Sequence, residues 1–358
     1  MGTDLRITKQ AEVVVNHSVK AKKKDRIIII SELEGRPLAK EIYRLLIQKG
    51  VSWVNYHLKD DDFDVLYYKY SSKSQRQIFP KVSYYDVKNC DCLIRIFAPS
   101  NTKALSGIDP SKISERMTTL KPIDDWTVNK TRWVITLFPT NSLAQEAGMS
   151  LSKYEDFVFS AINDVNWESL KEKQAKLKKL LDKTKLVKIV NKDTNLTFNI
   201  EGRKAESCFG QFNMPDGEVF TSVKENSVNG FITFSYPAIY LGREFENVRL
   251  EFKNGKVVKA TSSKNEKDLN KILDTDRGAR FIGEFGIGTN TKIKKFTKEI
   301  LFDEKIGGTI HLALGKGYKE TLSKNVSSIH WDMICDLRTG GALSFDDKLV
   351  QLGGKWKI

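Results

Sequence analysis

The run Arg26-Ile27-Ile28-Ile29-Ile30-Ser31 constrains the first half of this chain more than any other stretch. Four consecutive β-branched residues disfavour a helix and leave no polar face, the pattern of a strand covered on both sides in a parallel sheet. Pro37 to Lys49 follows with Leu38, Ile42, Leu45 and Leu46 at helical spacing, and Gly50 supplies a C-terminal cap. Val51 to Tyr56, Cys92 to Ala98 and Arg132 to Phe138 read as further strands, and Asn141 to Gly148 and Leu151 to Asn163 as helices. This alternation predicts an α/β domain with a largely parallel sheet. Ser31-Glu32-Leu33-Glu34-Gly35 stands where a Gly-x-Gly-x-x-Gly turn would follow the first strand, so no dinucleotide site is expected.

The pattern changes after a lysine-rich stretch, Lys171 to Lys192. That stretch reads as a helix with Trp167, Leu170, Leu177, Leu180 and Leu181 near one face and its lysines solvated. Leu186 to Val190 and Leu196 to Ile200 flank a polar turn, and Val248 to Phe252 and Lys256 to Thr261 flank Asn254-Gly255, which favours the primed turn of a tight hairpin. Gly230 to Leu241, Thr309 to Leu314 and Val326 to Leu337 add strands, and Lys264 to Leu273 is helical. The expectation is an α/β domain over residues 1–183 and a mostly antiparallel α+β domain over 184–358. No Pro/Gly-rich linker marks the boundary, and 358 residues exceed what one simple core holds.

Composition narrows the function. No run of about 18 apolar residues is present to cross a membrane, and the first residues lack the apolar core of a signal peptide. Cys90, Cys92, Cys208 and Cys335 form no disulfide framework, so a reducing cytoplasm fits. Cys90-Asp91-Cys92 has no second ligand pair nearby and reads as small residues at the start of a buried strand. The net charge of +14 admits nucleic acid as a partner, but the lysines are dispersed, without a stacking or helix-turn-helix motif.

Two of the four histidines sit close to carboxylates near the C-terminus. In an extended strand His330 and Asp332 point to the same face, and His311 sits in a second apolar run, Gly308 to Leu314. The pattern supports a metal site, or isolated polar residues in a mixed sheet.

Several second-half segments, in order and spacing, resemble the M29 family of metallo-aminopeptidases. They are Asn213-Met214-Pro215-Asp216-Gly217-Glu218-Val219-Phe220-Thr221, Gly283-Glu284, the run from Asp303 through His311 to Gly315, Tyr318, and His330-Trp331-Asp332. The first half is similar more diffusely, through Ala11 to Asn16, Ala147 to Ser150 and Tyr154 to Phe157. The resemblance implies Glu218, Glu284, His311, His330 and Asp332 as metal ligands, with Glu284 bridging. It implies Tyr318 as an active-site hydroxyl, and Glu284 and Tyr318 as the catalytic pair. It also implies two divalent ions (zinc, cobalt, manganese or magnesium), a peptide substrate with a free N-terminus, and a homodimer. The interval from His311 to His330 is shorter than in longer members.

Such ligands leave open positions for water and substrate, and two ions roughly 3.5–4 Å apart lower the pKa of a shared water. The implied activity is an aminopeptidase, with an ester hydrolase and, more remotely, a basic nucleic-acid-binding protein as alternatives. Glu218 reads otherwise as a turn carboxylate, and Asp303 and Glu304 either orient His311 or belong to a loop. Glu251 reads as solvent-facing, and His17 and His57 as structural.

Overall fold

The computed structural model describes residues 4–240 and 242–357. Residues 1–3 and 358, at the ends of the two expected domains, and Leu241, at the end of the expected Gly230–Leu241 strand, lie outside the described residues. The chain divides into two compact units, Met1–Asp164 with Gly210–Pro215, and Val165–Phe209 with Asp216–Ile358. The division thus precedes the Lys183 boundary that the sequence suggests. The reason is the lysine-rich helix, Trp167–Leu181, whose Leu177 and Leu181 enter the core of the second unit. This helix also stops at Leu181 instead of running to Lys192, because Leu186–Asn191 is already a strand that buries Val187 and Ile189.

The first unit is built on a five-stranded, wholly parallel sheet. Its order is Trp53–Lys59, Arg26–Glu32, Cys92–Phe97, Arg132–Leu137, Asn213–Met214. The isoleucine strand has a neighbour on each side, and Ile27, Ile28 and Ile29 are buried. Helix Arg36–Lys49 buries Leu38, Ile42 and Leu46 and ends at Gly50, whose φ of 77° is the left-handed cap the glycine predicts. Helix Leu151–Asn163 buries Tyr154, Val158 and Ile162. Among the helices not legible in the sequence are Asp61–Tyr70, Lys81–Lys88 and Pro110–Lys130. The first and last bury no residue, so they carry no apolar stripe for periodicity to reveal.

The second unit is built on two large antiparallel sheets with one core between them. The larger runs Lys256–Thr261, Arg249–Lys253, Asn229–Thr233, Thr194–Asn199, Leu186–Asn191, Ala342–Phe345, Lys348–Leu352, Lys355–Trp356. The smaller runs His330–Asp336, Thr309–Gly315, Ile282–Gly288, Glu218–Thr221, Ala205–Cys208. Phe198 of one sheet meets Phe285 of the other edge to face at 5.1 Å, inside a cluster that includes Leu196, Ile232, Leu312 and Met333. The α/β and antiparallel α+β classes are therefore as expected.

Several strands differ from their sequence reading. The Val326–Leu337 run becomes strand only from His330, and Val326 is exposed. The Gly230 run breaks into Asn229–Thr233 and Ala238–Tyr240 around Pro237, which has no N–H for a ladder. Ile282–Gly288 was missed because three glycines lower its strand propensity. Among the described residues no helix is long and apolar enough to cross a membrane.

Asn254 and Gly255 take φ values of 49° and 85°, the primed turn. A Cβ on Gly255 would also collide with the Glu225 carbonyl. Gly255→Ala should therefore cost about 1–3 kcal/mol in urea denaturation. An unchanged midpoint would show that the turn relaxes freely.

Candidate metal centre

Strand alternation sorts the smaller sheet of the second unit into two faces. Phe285, Ile287, Ile310, Leu312, Leu314, Trp331, Met333 and Cys335 point into the core. The opposite face carries Glu284, Gly286 and Gly288 on one strand, His311, Ala313 and Gly315 on the next, and His330 and Asp332 on the third. Register aligns them: Gly286 lies beside His311, Ala313 beside Asp332, Gly315 beside His330, and Gly288 beside Glu218. Positions between the polar residues are thus glycine or alanine, which leaves room above the sheet. At Gly286 the requirement is strict, because a Cβ there would occupy the place of the His311 imidazole.

The polar side chains converge. His311 Nε2 lies 3.2 Å from Glu218 Oε2 and 3.3 Å from Glu284 Oε1. His330 Nε2 lies 3.3 Å from Asp332 Oδ2. Tyr318 packs its ring edge-on against His330 at 5.3 Å and against Phe220 at 5.6 Å. All six residues singled out in the sequence therefore gather in one place, the five acids and histidines on one sheet face.

Both histidines are set by a main-chain carbonyl. His311 Nδ1–H donates to the Glu304 carbonyl at 3.0 Å, and His330 Nδ1–H to the Lys316 carbonyl at 2.7 Å. A carbonyl can only accept, so a proton sits on each Nδ1, and each Nε2 faces carboxylates as a lone pair when the ring is neutral and as a second N–H donor when it is protonated. Lone pair against carboxylate is repulsive unless a positive charge stands between them. The titration behaviour reflects this. Burial opposes the charge on His311, yet Glu218 and Glu284 hold its pKa well above the ordinary imidazole range. Burial likewise opposes the charge on His330, and Asp332 pushes it up to about 10. Asp332, against its own burial, falls to about 2 beside His330. Burial raises Glu284, although the His311 hydrogen bond pulls it down.

The residues fit a divalent ion. Glu284 Oε2 and Asp332 Oδ1 are buried oxygens with no hydrogen-bond partner, a costly state that a cation would relieve. Among the described residues three groups bring their donor atoms within 4.8 Å of one another: Glu284, His311 and Asp332; Glu218, Glu304 and His311; and Cys208, Asp216 and Glu218. Imidazole and carboxylate together suit zinc, cobalt or manganese.

Sequence reasoning gave no role to Lys305, Cys208 or Asp216. Lys305 is fully buried, with Nζ 3.5 Å from Glu218 Oε1 and in contact with Glu304 Oε1. Lys305 stands within the quoted motif from Asp303 to Gly315, but a lysine there has the same letter as the surface lysines of the chain. Of the two acids left open, Glu304 acts on His311 through its carbonyl, while Asp303 accepts from Thr297 N and Oγ1 and anchors a loop. Glu251 pairs with Arg249 and Lys259 at the hairpin. His57 lies on the exposed edge strand of the first unit, and His17 also belongs to that unit.

A sequence profile of the family described as thermophilic metalloprotease (M29) matches residues 3–352. Aminopeptidase 2 of Geobacillus stearothermophilus is 24% identical over 357 residues, 90% of this chain and 86% of that protein. Aminopeptidase T of Thermus aquaticus is 35% identical over 114 residues, 31% of this chain and 28% of that protein. The solved structure of wild-type AmpT from Thermus thermophilus superposes with a TM-score of 0.88 at 20% identity, covering 100% of both chains, which shows a shared fold.

Two outcomes follow from the geometry. Gly286→Ala should displace His311 and weaken cobalt binding about 10–100-fold with the far-UV circular dichroism retained; normal binding would show that the ring has room to move. In chelator-treated protein the raised His330 adds stability that is fully present below its ordinary pKa of 6.5 and is lost as pH rises through about 10. Denaturation of wild type against His330→Gln should show their difference shrinking across that window. A difference independent of pH would remove the His330–Asp332 ion pair.

Proposed function

The chain belongs to the thermophilic metalloprotease (M29) family, and from that premise we propose that it is an aminopeptidase that removes N-terminal residues from short peptides with two divalent ions. The observation that carries this reading is the convergence of His311 Nε2, Glu218 and Glu284, with His330 and Asp332 alongside on the same sheet face. Relatives named aminopeptidases support it. Charge supports divalent ions there: the carboxyl groups of Asp216, Glu218, Glu284, Glu304 and Asp332 outnumber the ammonium of Lys305 and the two imidazoles.

Divalent ions held by Glu218, Glu284, His311, His330 and Asp332 would supply Lewis acidity toward the scissile carbonyl and a water of lowered pKa. The protein's own groups do the rest. The Glu304 and Lys316 carbonyls hold both imidazoles with Nε2 inward. Glu284 has one oxygen engaged by His311 and one buried and free. That disposition would let Glu284 help hold an ion through one oxygen and, at the other, take a proton from the attacking water and pass it to the leaving amine. Its pKa, raised by burial, favours such exchange. Tyr318 is 44% exposed, at the accessible side. Desolvation and the neighbouring Glu284 and Asp332 raise the pKa of its phenol, so it stays an O–H donor able to stabilise the oxyanion on the substrate carbonyl. The acidic surroundings favour a substrate that presents an amino terminus. The same reading extends to a homodimer working in the cytoplasm, a state that light scattering of the purified chain measures.

Release of nitroaniline from leucine p-nitroanilide should stop with chelator and return with cobalt or zinc; full activity in metal-free protein would sink the metal reading. Glu284→Gln should lower turnover about 10²–10⁴-fold with an unchanged circular dichroism spectrum. Equal turnover would exclude Glu284 from proton transfer, and cleavage of only the matching ester would favour the esterase alternative.

A further inference from the structure

Lys305 has no accessible surface, so its ammonium cannot reach water along its aliphatic stem as surface lysines do. A buried amine is tolerated only where opposite charge surrounds it. Here Nζ contacts Glu304 Oε1 and lies 3.5 Å from Glu218 Oε1. The main chain pins the residue on both sides: Lys305 N–H donates to the Phe302 carbonyl, and the Lys305 carbonyl accepts from Asn290 N–H, each at 3.1 Å.

Glu218, Glu304 and His311 form one of the groups whose donor atoms converge within 4.8 Å. The ammonium sits on two of its three members. It meets Oε1 of Glu218, while Oε2 of the same carboxylate faces His311 Nε2 at 3.2 Å. An ammonium has three donors and unit charge in a compact volume. It therefore satisfies these oxygens as a small cation would, but it is covalently fixed and cannot be chelated away.

Resting on the two-ion reading above, we propose that Lys305 is a resident counter-ion that closes the Glu304 corner of the cluster to divalent ions and leaves Glu218 a single oxygen for them. Glu284 and Asp332, which each keep one buried oxygen without a partner, then remain as the carboxylates that Lys305 leaves open. Lys305 acts through Glu218 and Glu304, so it is a positioning residue. Its charge keeps divalent binding weaker, and therefore more exchangeable, than the carboxylate set alone would make it.

The test titrates the full chain, stripped with chelator, with cobalt(II) alone, reading heat by calorimetry and the visible absorption of the ion. Lys305→Met should bind cobalt roughly tenfold or more tightly than wild type, with a changed visible spectrum as Glu218 and Glu304 become free to ligate. Lys305→Gln provides the same reading if the methionine variant does not fold. Unchanged or weaker binding with an unchanged spectrum would overturn the assignment, even if thermal stability falls, because a lysine that merely holds the fold predicts that result. A wild-type chain that binds no cobalt would instead overturn the metal reading and this inference with it.

Discussion

An imidazole lone pair directed at two carboxylates demands a positive charge, and the architecture around His311 is organised by that demand. The Glu304 carbonyl fixes the proton on Nδ1, and Glu218 and Glu284 converge on Nε2. Burial makes the demand strong, because each group has little water to turn to. The glycine beneath the ring follows from the same constraint: Gly286 leaves the imidazole the space that any side chain would take. A strand with three glycines is weak on its own. It is held here by ladders on both edges and by Phe285 and Ile287 in the core.

The sheet supplies rigidity that loops would not. Four of the five acids and histidines stand on three adjacent antiparallel strands, and Glu218 opens a fourth. Their separations are therefore set by ladder spacing and pleat. The hydrophobic face of the same strands packs against the eight-stranded sheet, so displacing one ligand backbone would disturb the core. Stability and site geometry are coupled through the alternation of one set of strands.

Burying so many acids creates an electrostatic problem with two kinds of solution. Lys305 offers a permanent charge, and divalent ions an exchangeable one. Other acids nearby avoid the problem by staying neutral: burial lifts Asp303 well above the carboxylate range and Glu299 to about 7. Glu304 stands between the two: burial raises it, and the Lys305 ammonium against its Oε1 opposes that. The site thus grades from ionised ligands to protonated supports over a few residues.

Much of this was legible in the sequence where a local rule governs. Four isoleucines can only be a doubly covered strand, Gly50 can end a helix, and Asn254-Gly255 can turn a hairpin, since each depends on backbone and side-chain sterics of adjacent residues. The spacing of His330 and Asp332 likewise placed both on one face, and resemblance to a known family brought in Glu218, Glu284, His311 and Tyr318. Tertiary structure decided what depends on distant partners. It placed helix Trp167–Leu181 with the second unit, because its leucines fill that core. It formed helices such as Pro110–Lys130, which have no apolar stripe of their own. It also distinguished Lys305 from the chain's many other lysines, because burial and the approach of Glu218 across 87 positions of sequence exist only in the folded chain. Long-range electrostatics leaves no trace in local pattern, which is why the counter-ion was invisible until the strands were paired.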